Sequence, residues 1–120
     1  SMGNPHSLVV VDDLDTTDVT KLGKAISTHP AFPVGTNAGF AEIVDRDNIR
    51  LRVYERGASE TLACGSGACA AVSILRAHEL VNQTVNVTQA GGSLIIDWTG
   101  EGNPVIMTGP ATRVFKGKFE

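Results

Sequence analysis

The stretch Tyr54-Glu55-Arg56-Gly57-Ala58-Ser59-Glu60-Thr61-Leu62-Ala63-Cys64-Gly65-Ser66-Gly67-Ala68-Cys69 runs from a strand, through a turn of small residues, into a helix. The helix follows from what comes next: Ala68, Cys69, Ala70, Ala71, Val72, Ile74, Leu75 and Ala77 carry the chain on with no charge until Arg76. Apolar on nearly every side, such a helix belongs in the interior. Cys64 stands at its start, where Gly65, Ser66 and Gly67 leave the first-turn N–H groups bare. Those donors and the positive end of the helix dipole make a seat for an anion. A thiol at that seat ionises more easily than a free cysteine, which makes Cys64 a candidate reactive group. Free cysteine is also among the most buried residue types, so the local pattern equally admits Cys64 as a small core residue. It puts Cys69, inside the apolar run, in the core.

Upstream, Phe40 to Tyr54 reads as a hairpin. Phe40, Glu42 and Val44 alternate with Ala41 and Ile43, Asp45-Arg46-Asp47-Asn48 turns the chain, and Ile49, Leu51 and Val53 alternate with Arg50, Arg52 and Tyr54. The second arm delivers Glu55 and Arg56 to the thiol loop. Taken alone, two opposite charges at a strand end are a solvated rim. Earlier still, Leu8 to Val11 is an apolar run closed by Asp12 and Asp13, expected as a buried strand over Ser7 to Val11. Before it, Gly3-Asn4-Pro5-His6 is turn-like and offers Asn and His heads. A helix is expected over Thr17 to Thr28, capped by Asp15 or Thr16, with Val19, Leu22 and Ile26 on one face. His29-Pro30-Ala31-Phe32-Pro33 breaks it, and Asn37 lies in a glycine-flanked loop where it either turns the chain or presents an amide.

Downstream of the central helix, which ends at His78-Glu79-Leu80 without a glycine stop, three strands are expected at Val85 to Gln89, Ser93 to Trp98 and Val105 to Thr108. Thr112 to Phe119 mixes Val114, Phe115 and Phe119 with Arg113, Lys116 and Lys118. It is expected as an edge strand or one that pairs with an element outside this chain.

With 120 residues, the chain is long enough for one cored domain, and its net charge of −3 with scattered basic residues argues against nucleic acid and anionic membrane partners. No apolar run reaches a bilayer span and the N-terminus lacks signal-peptide features, so a cytoplasmic location is expected. Cys64 and Cys69, five residues apart, would lie roughly 140° apart around a helix and do not readily bridge. Nor do they have the spacing of a zinc site, so no metal is expected. A thiol at a helix start serves nucleophilic attack, redox sensing or proton transfer. No histidine lies in a recognisable protease partner motif, and Cys69 is badly placed as a resolving thiol. Proton transfer fits better, because a carboxylate seated on the helix end would bring its α-carbon against Cys64.

Tyr54-Glu55-Arg56-Gly57, then Glu60-Thr61, then Ala63-Cys64-Gly65-Ser66-Gly67-Ala68-Cys69-Ala70 resembles the signature of the diaminopimelate epimerase family. Met2-Gly3-Asn4-Pro5-His6, Thr36-Asn37 before Gly39-Phe40, and Met107-Thr108-Gly109-Pro110-Ala111 agree in order and spacing. Ser59 stands where the family pattern has a glycine, and Leu62 where a polar residue is common. The resemblance implies an α+β fold with a mixed, mostly antiparallel sheet wrapped around a buried central helix. This would be one of two similar lobes with the site in the cleft between them.

The resemblance further implies a cofactor-free, two-thiol epimerisation of L,L- and meso-diaminopimelate, on the route to lysine and peptidoglycan precursors. Cys64 would be one acid/base, and Gly65 and Ser66 would bind the reacting carboxylate. Asn4, Asn37 and Arg56 would hold the distal amino-acid end, Glu55 its ammonium, and His6 with Glu55 would tune the thiol. Residues 1–120 would be a single domain matching the C-terminal lobe, with 112–120 a closing strand returning to the other lobe. The partners implied are the amino-acid substrate and that N-terminal lobe, with room for a homodimer, and the chain alone is expected to be inactive. Two other readings stay open: a proline or hydroxyproline epimerase or racemase, which would have no distal zwitterion for Glu55 and Arg56 to hold, and a binding or redox module sensing through Cys64.

Overall fold

The computed structural model describes residues 1–120. The elements in order are β1 (His6–Val10), α1 (Val19–Ser27), β2 (Asn37–Asp45), β3 (Asn48–Glu55), β4 (Ser59–Thr61), α2 (Gly65–Ala77), β5 (Thr84–Gln89), β6 (Gly92–Asp97) and β7 (Ile106–Thr108). The strands form one seven-stranded sheet in the order β1-β2-β3-β5-β6-β7, with β4 paired to β3 off that path. β1 runs parallel to β2 and β3 parallel to β5, while β2–β3, β3–β4, β5–β6 and β6–β7 are antiparallel. The fold is thus α+β, with a mixed sheet and two helices.

The period-2 pattern of the hairpin decides which helix lies on which face. Ile49, Leu51 and Val53 are buried among α2 residues in an apolar cluster of 14, while Tyr54 turns to the other face and packs with Leu14, Val19, Ala38 and Phe40 beside α1. α2 touches β1 and β2 towards one end of the sheet and β6 and β7 at the other, so the sheet bends around it. Its buried residues are Gly67 to Val72 and Leu75, as its composition requires. No helix is long and apolar enough to cross a membrane.

Local details change or complete the expected pattern. β1 ends at Val10 and is only half-buried, because it is the sheet's outer strand and lacks a neighbour on one side. α1 is capped by Asp18, whose side chain accepts from the Lys21 N–H, while Asp15 is engaged with Arg50. Leu22 is 45% exposed, and the buried stripe of α1 is Val19, Gly23 and Ser27 with Ile26 partly covered, because Gly23 lets the helix approach Tyr54 closely. The end of α2 is closed by Glu79 in the left-handed region (φ +59°), with the Leu80 N–H donating to the Leu75 carbonyl, so Glu79 takes the place a glycine commonly fills. Residues 112–120 form no strand within this chain and are exposed, so of the two expected arrangements the edge strand is not formed and β7 takes the edge, while pairing with an element outside this chain stays open.

Candidate active site

The thiol loop is built by β3, β4 and the β5–β6 hairpin together. β3 pairs with β4 through Val53–Thr61, Tyr54–Glu60 and Glu55–Ser59, and this short strand, absent from the sequence reading, turns the chain back towards α2. Ser59 adopts φ +63°, so the loop keeps a backbone that a glycine favours although the residue is serine. The Arg52 guanidinium straps β4 in place: it pairs with Glu60 at 2.6 Å and also donates to the Leu14 and Thr17 carbonyls.

Cys64 is the N-cap of α2, extended at φ −141° and ψ 105°, and 7% exposed. Its Sγ accepts from the Gly67 N–H at 3.3 Å and lies 3.6 Å from Ser66 Oγ. A Cβ on Gly67 would sit 3.1 Å from both Cys64 Sγ and Val53 Cγ2, so the helix starts against β3 with little room for a larger residue. The Gly65 and Ser66 N–H groups have no hydrogen-bond partner within the chain, which leaves two donors of the helix end free. Met107 lies beside them, its Sδ 3.2 Å from where a Cβ on Gly65 would be. Cys69 is also buried, further along α2 where the core borders a cavity of about 520 Å³, and burial pushes its thiol pKa up, with the neighbouring Cys64 adding to the effect.

The other expected residues gather at the ends of β1, β2 and β3. Asn37 opens β2 and is 4% exposed. Its Oδ1 accepts from the Arg56 N–H at 2.8 Å and its Nδ2 donates to the Pro5 carbonyl at 3.1 Å, so its amide both ties the chain and retains one free N–H. The Arg56 guanidinium donates to the Val34 carbonyl at 2.9 Å and remains exposed. Glu55 Oε1 accepts from the Thr61 hydroxyl at 2.6 Å. His6 Nε2 and Asn4 Oδ1 lie 3.1 Å apart. Burial lowers the His6 pKa below its ordinary 6.5, and the nearby Glu55 carboxylate opposes part of that shift.

Two residues of the cradle escaped the sequence reading. Gln89, 7% exposed at the end of β5, accepts from the Cys64 N–H at 2.7 Å and donates to the Cys64 carbonyl at 3.4 Å. The Gly91 N–H donates to the Leu62 carbonyl at 2.7 Å. The available signal was a polar residue at an inward position, since Gln89 follows Val85 and Val87 on the buried face of β5. Cavities of about 330, 390 and 520 Å³ are present; Gln89 lines the first and Cys69 the last, and none is lined by Cys64, Gly65 or Ser66. Gly65 and Ser66 are half-buried at the helix end. No group of three or more His, Cys, Asp or Glu side chains converges as a metal site would.

A family model described as diaminopimelate epimerase matches residues 1–114. The diaminopimelate epimerase of Chromobacterium violaceum is 58% identical over 120 residues, which is 100% of this chain and 44% of that protein. That of Coxiella burnetii is 54% identical over 119 residues, 99% of this chain and 43% of the relative. This chain therefore spans less than half the length of the curated relatives it matches. Among solved structures, a Bacillus anthracis phenazine biosynthesis protein of the PhzF family has a TM-score of 0.60 at 21% identity, covering 88% of this chain and 34% of that one. A PhzF-family protein of Enterococcus faecalis has 0.62 at 19%, covering 82% and 35%. At such identity the likeness shows the fold alone.

Proposed function

We propose, on the premise that this chain belongs to the diaminopimelate epimerase family, that it supplies one half of a cofactor-free amino-acid epimerase, with Cys64 as the acid/base thiol on its side. The observation that carries this reading is the helix end: Cys64 caps α2 beside the two unpartnered N–H groups of Gly65 and Ser66. A substrate carboxylate received by those donors would place its α-carbon next to the sulfur. In one direction the α-C–H bond breaks, its electron pair moves into the carboxylate system, and the proton goes to the Cys64 thiolate. A thiol of the other lobe then protonates the opposite face, and the reverse direction exchanges the two roles.

The remaining residues suit a diamino diacid. Arg56 would pair the distal carboxylate, Glu55 the distal ammonium, and Asn4 and Asn37 would add hydrogen bonds. His6 and Glu55 would set the charge around the thiol. A helix end whose Gly65 and Ser66 are only half-buried fits a half cleft whose other wall is the second lobe, and we place this chain as the C-terminal lobe, with 112–120 as the strand that returns to its partner.

Exchange of the α-proton in D₂O with L,L-diaminopimelate tests this, with the chain alone and with the complementary lobe added. Deuterium should enter the α-carbon only in the mixture, and Cys64→Ser in the mixture should lower the rate by about 10² or more. Turnover at a full enzyme's rate by the chain alone would overturn the half-site reading. No exchange from a folded, associated mixture would overturn the catalytic assignment.

A further inference from the structure

We propose that Gln89 is the positioning residue of the Cys64 thiol, its carboxamide gripping the Cys64 backbone on both sides so that the sulfur stays on the Gly67 N–H. Cys64 is extended, so its N–H and C=O present themselves as a strand residue's would, yet no strand pairs with it. The Gln89 side chain takes the strand's place: Oε1 accepts from the Cys64 N–H at 2.7 Å and Nε2 donates to its carbonyl at 3.4 Å. That carbonyl also accepts the first helical bond of α2, from the Ala68 N–H at 3.0 Å. One side chain therefore fixes the residue through which the loop becomes the helix.

The grip is rigid because of where Gln89 sits. β5 pairs with β6 as far as Gln89 opposite Gly92, and the turn then passes under the loop, where the Gly91 N–H holds the Leu62 carbonyl at 2.7 Å. A Cβ on Gly91 would lie 3.1 Å from that oxygen and 3.3 Å from the Ala63 Cβ, so turn and loop are in direct contact. The peptide groups from Leu62 to Cys64 are held at three points by one hairpin. Downstream, the Gly67 N–H has the Cys64 sulfur as its sole partner, so protection of that amide reports directly on where the sulfur is. A buried carboxamide with neither group satisfied would be costly, and here one residue's backbone satisfies both.

The inference deepens the reading of Cys64 as an acid/base, but its test needs no turnover. Amide hydrogen exchange by NMR is followed at Cys64, Gly67 and, as an internal reference, Ala71. In Gln89→Met, which keeps a similar volume without the hydrogen-bonding groups, Cys64 and Gly67 should both exchange about fivefold faster with Ala71 unchanged, the worth of one net hydrogen bond. Gln89→Glu, followed at a pH low enough to keep the buried carboxyl protonated, supplies an acceptor for the Cys64 N–H and a donor for its carbonyl, and should return both amides towards the wild-type rate. Site-resolved alkylation by iodoacetamide should rise about fivefold at Cys64 in Gln89→Met and stay level at Cys69.

Gly67 unchanged while Cys64 speeds up would overturn the proposal, since Gln89 would then hold backbone without placing the sulfur. So would equal acceleration at Ala71 that Gln89→Glu fails to rescue, which marks general packing. If Gln89→Met does not fold, Gln89→Asn, one methylene too short to span both groups, decides by the same comparison of Gly67 with Ala71. Failure of the deuterium exchange assay with these amide results intact would sink the epimerase reading and leave the positioning role standing.

Discussion

β3 is gripped from both sides at adjacent residues, and each grip is made by a glycine. On one face Gly67 of α2 meets Val53 at a tight 3.1 Å for an added Cβ, and on the other Gly23 of α1 meets Tyr54 so closely that an added Cβ would collide. The surroundings of the two contacts differ. The α2 face is a dry cluster of 14 buried residues. The α1 face has only Leu14, Val19, Ala38 and Phe40, and is framed by ion pairs of Arg50 with Asp15 and Glu42 and of Arg52 with Glu60. The candidate thiol sits at the edge of the dry face, where packing on one side fixes its position. The polar face supplies the strap that turns β4 towards it. Apolar packing and hydrogen-bonded charge thus share the work of placing one cysteine.

The largest expected effect sets the two helices against each other. Leu75→Ala on α2, at 1% exposure, should lower the unfolding free energy by about 2–5 kcal/mol in urea titrations. Leu22→Ala on α1, which is 45% exposed, should change it by less than about 1 kcal/mol. Similar losses at the two positions would break the distinction between the faces.

The glycine contacts come next. Helix propensity alone favours alanine over glycine by about 1 kcal/mol. Gly23→Ala should nevertheless destabilise by about 1–3 kcal/mol, because the new Cβ would run into Tyr54 Cβ and Cγ, which are tethered to the backbone of β3 and cannot swing away. Gly67→Ala meets Cys64 Sγ and Val53 Cγ2 at 3.1 Å, where small shifts suffice, so its melting temperature should fall less than that of Gly23→Ala while the Cys64 environment changes. Thermal melts of the two variants rank them.

The polar face is sharpened by comparing its two arginines. Arg52→Met leaves Glu60 and the Leu14 and Thr17 carbonyls without their donor, for a loss of about 1–2 kcal/mol that high salt should not erase. Arg50→Met removes the more exposed pairs with Asp15 and Glu42, about 0.2–1 kcal/mol, and that difference should shrink in 1 M salt, roughly a 3 Å screening length.

The smallest effect is a pH dependence at β1. The folded chain holds the His6 pKa below 6.5, so the unfolded chain binds the proton more readily. Stability present above pH 6.5 should therefore decline as pH falls below it and towards the lowered folded value. His6→Gln should flatten that decline in unfolding curves compared at about pH 7.5 and about pH 5.5. Glu55→Gln, which removes the opposing carboxylate, should steepen it.

The α2 helix, its buried position and Cys64 at its start were legible because a run from Ala68 to Ala77 broken by no charge before Arg76 admits no other placement. The inward alternation of Ile49, Leu51 and Val53 was legible for the same kind of reason, a period that matches the pleat. The α1 stripe was misread at Leu22 because a helix's buried face depends on how near its partner comes, and Gly23 brings Tyr54 under a different arc. β4 went unseen because three residues carry too little pattern to stand out, and its pairing is held by Arg52 from eight residues away.

The sequence by itself determined where the candidate residues lie: a cysteine ahead of a small-residue helix start, with Glu55 and Arg56 at the end of the strand that feeds it. Composition and periodicity are local properties, and they fix the helix, the hairpin and the position of the thiol between them. Only the tertiary structure decided what holds that thiol. Gln89 lies 25 residues from Cys64 and reaches it only once β5 and β6 fold under the loop. Asn37 meets Pro5 and Arg56 only when β1, β2 and β3 lie side by side. Hydrogen bonds between distant segments depend on which strands become neighbours, and strand order in a mixed sheet is set by the packing of the whole chain.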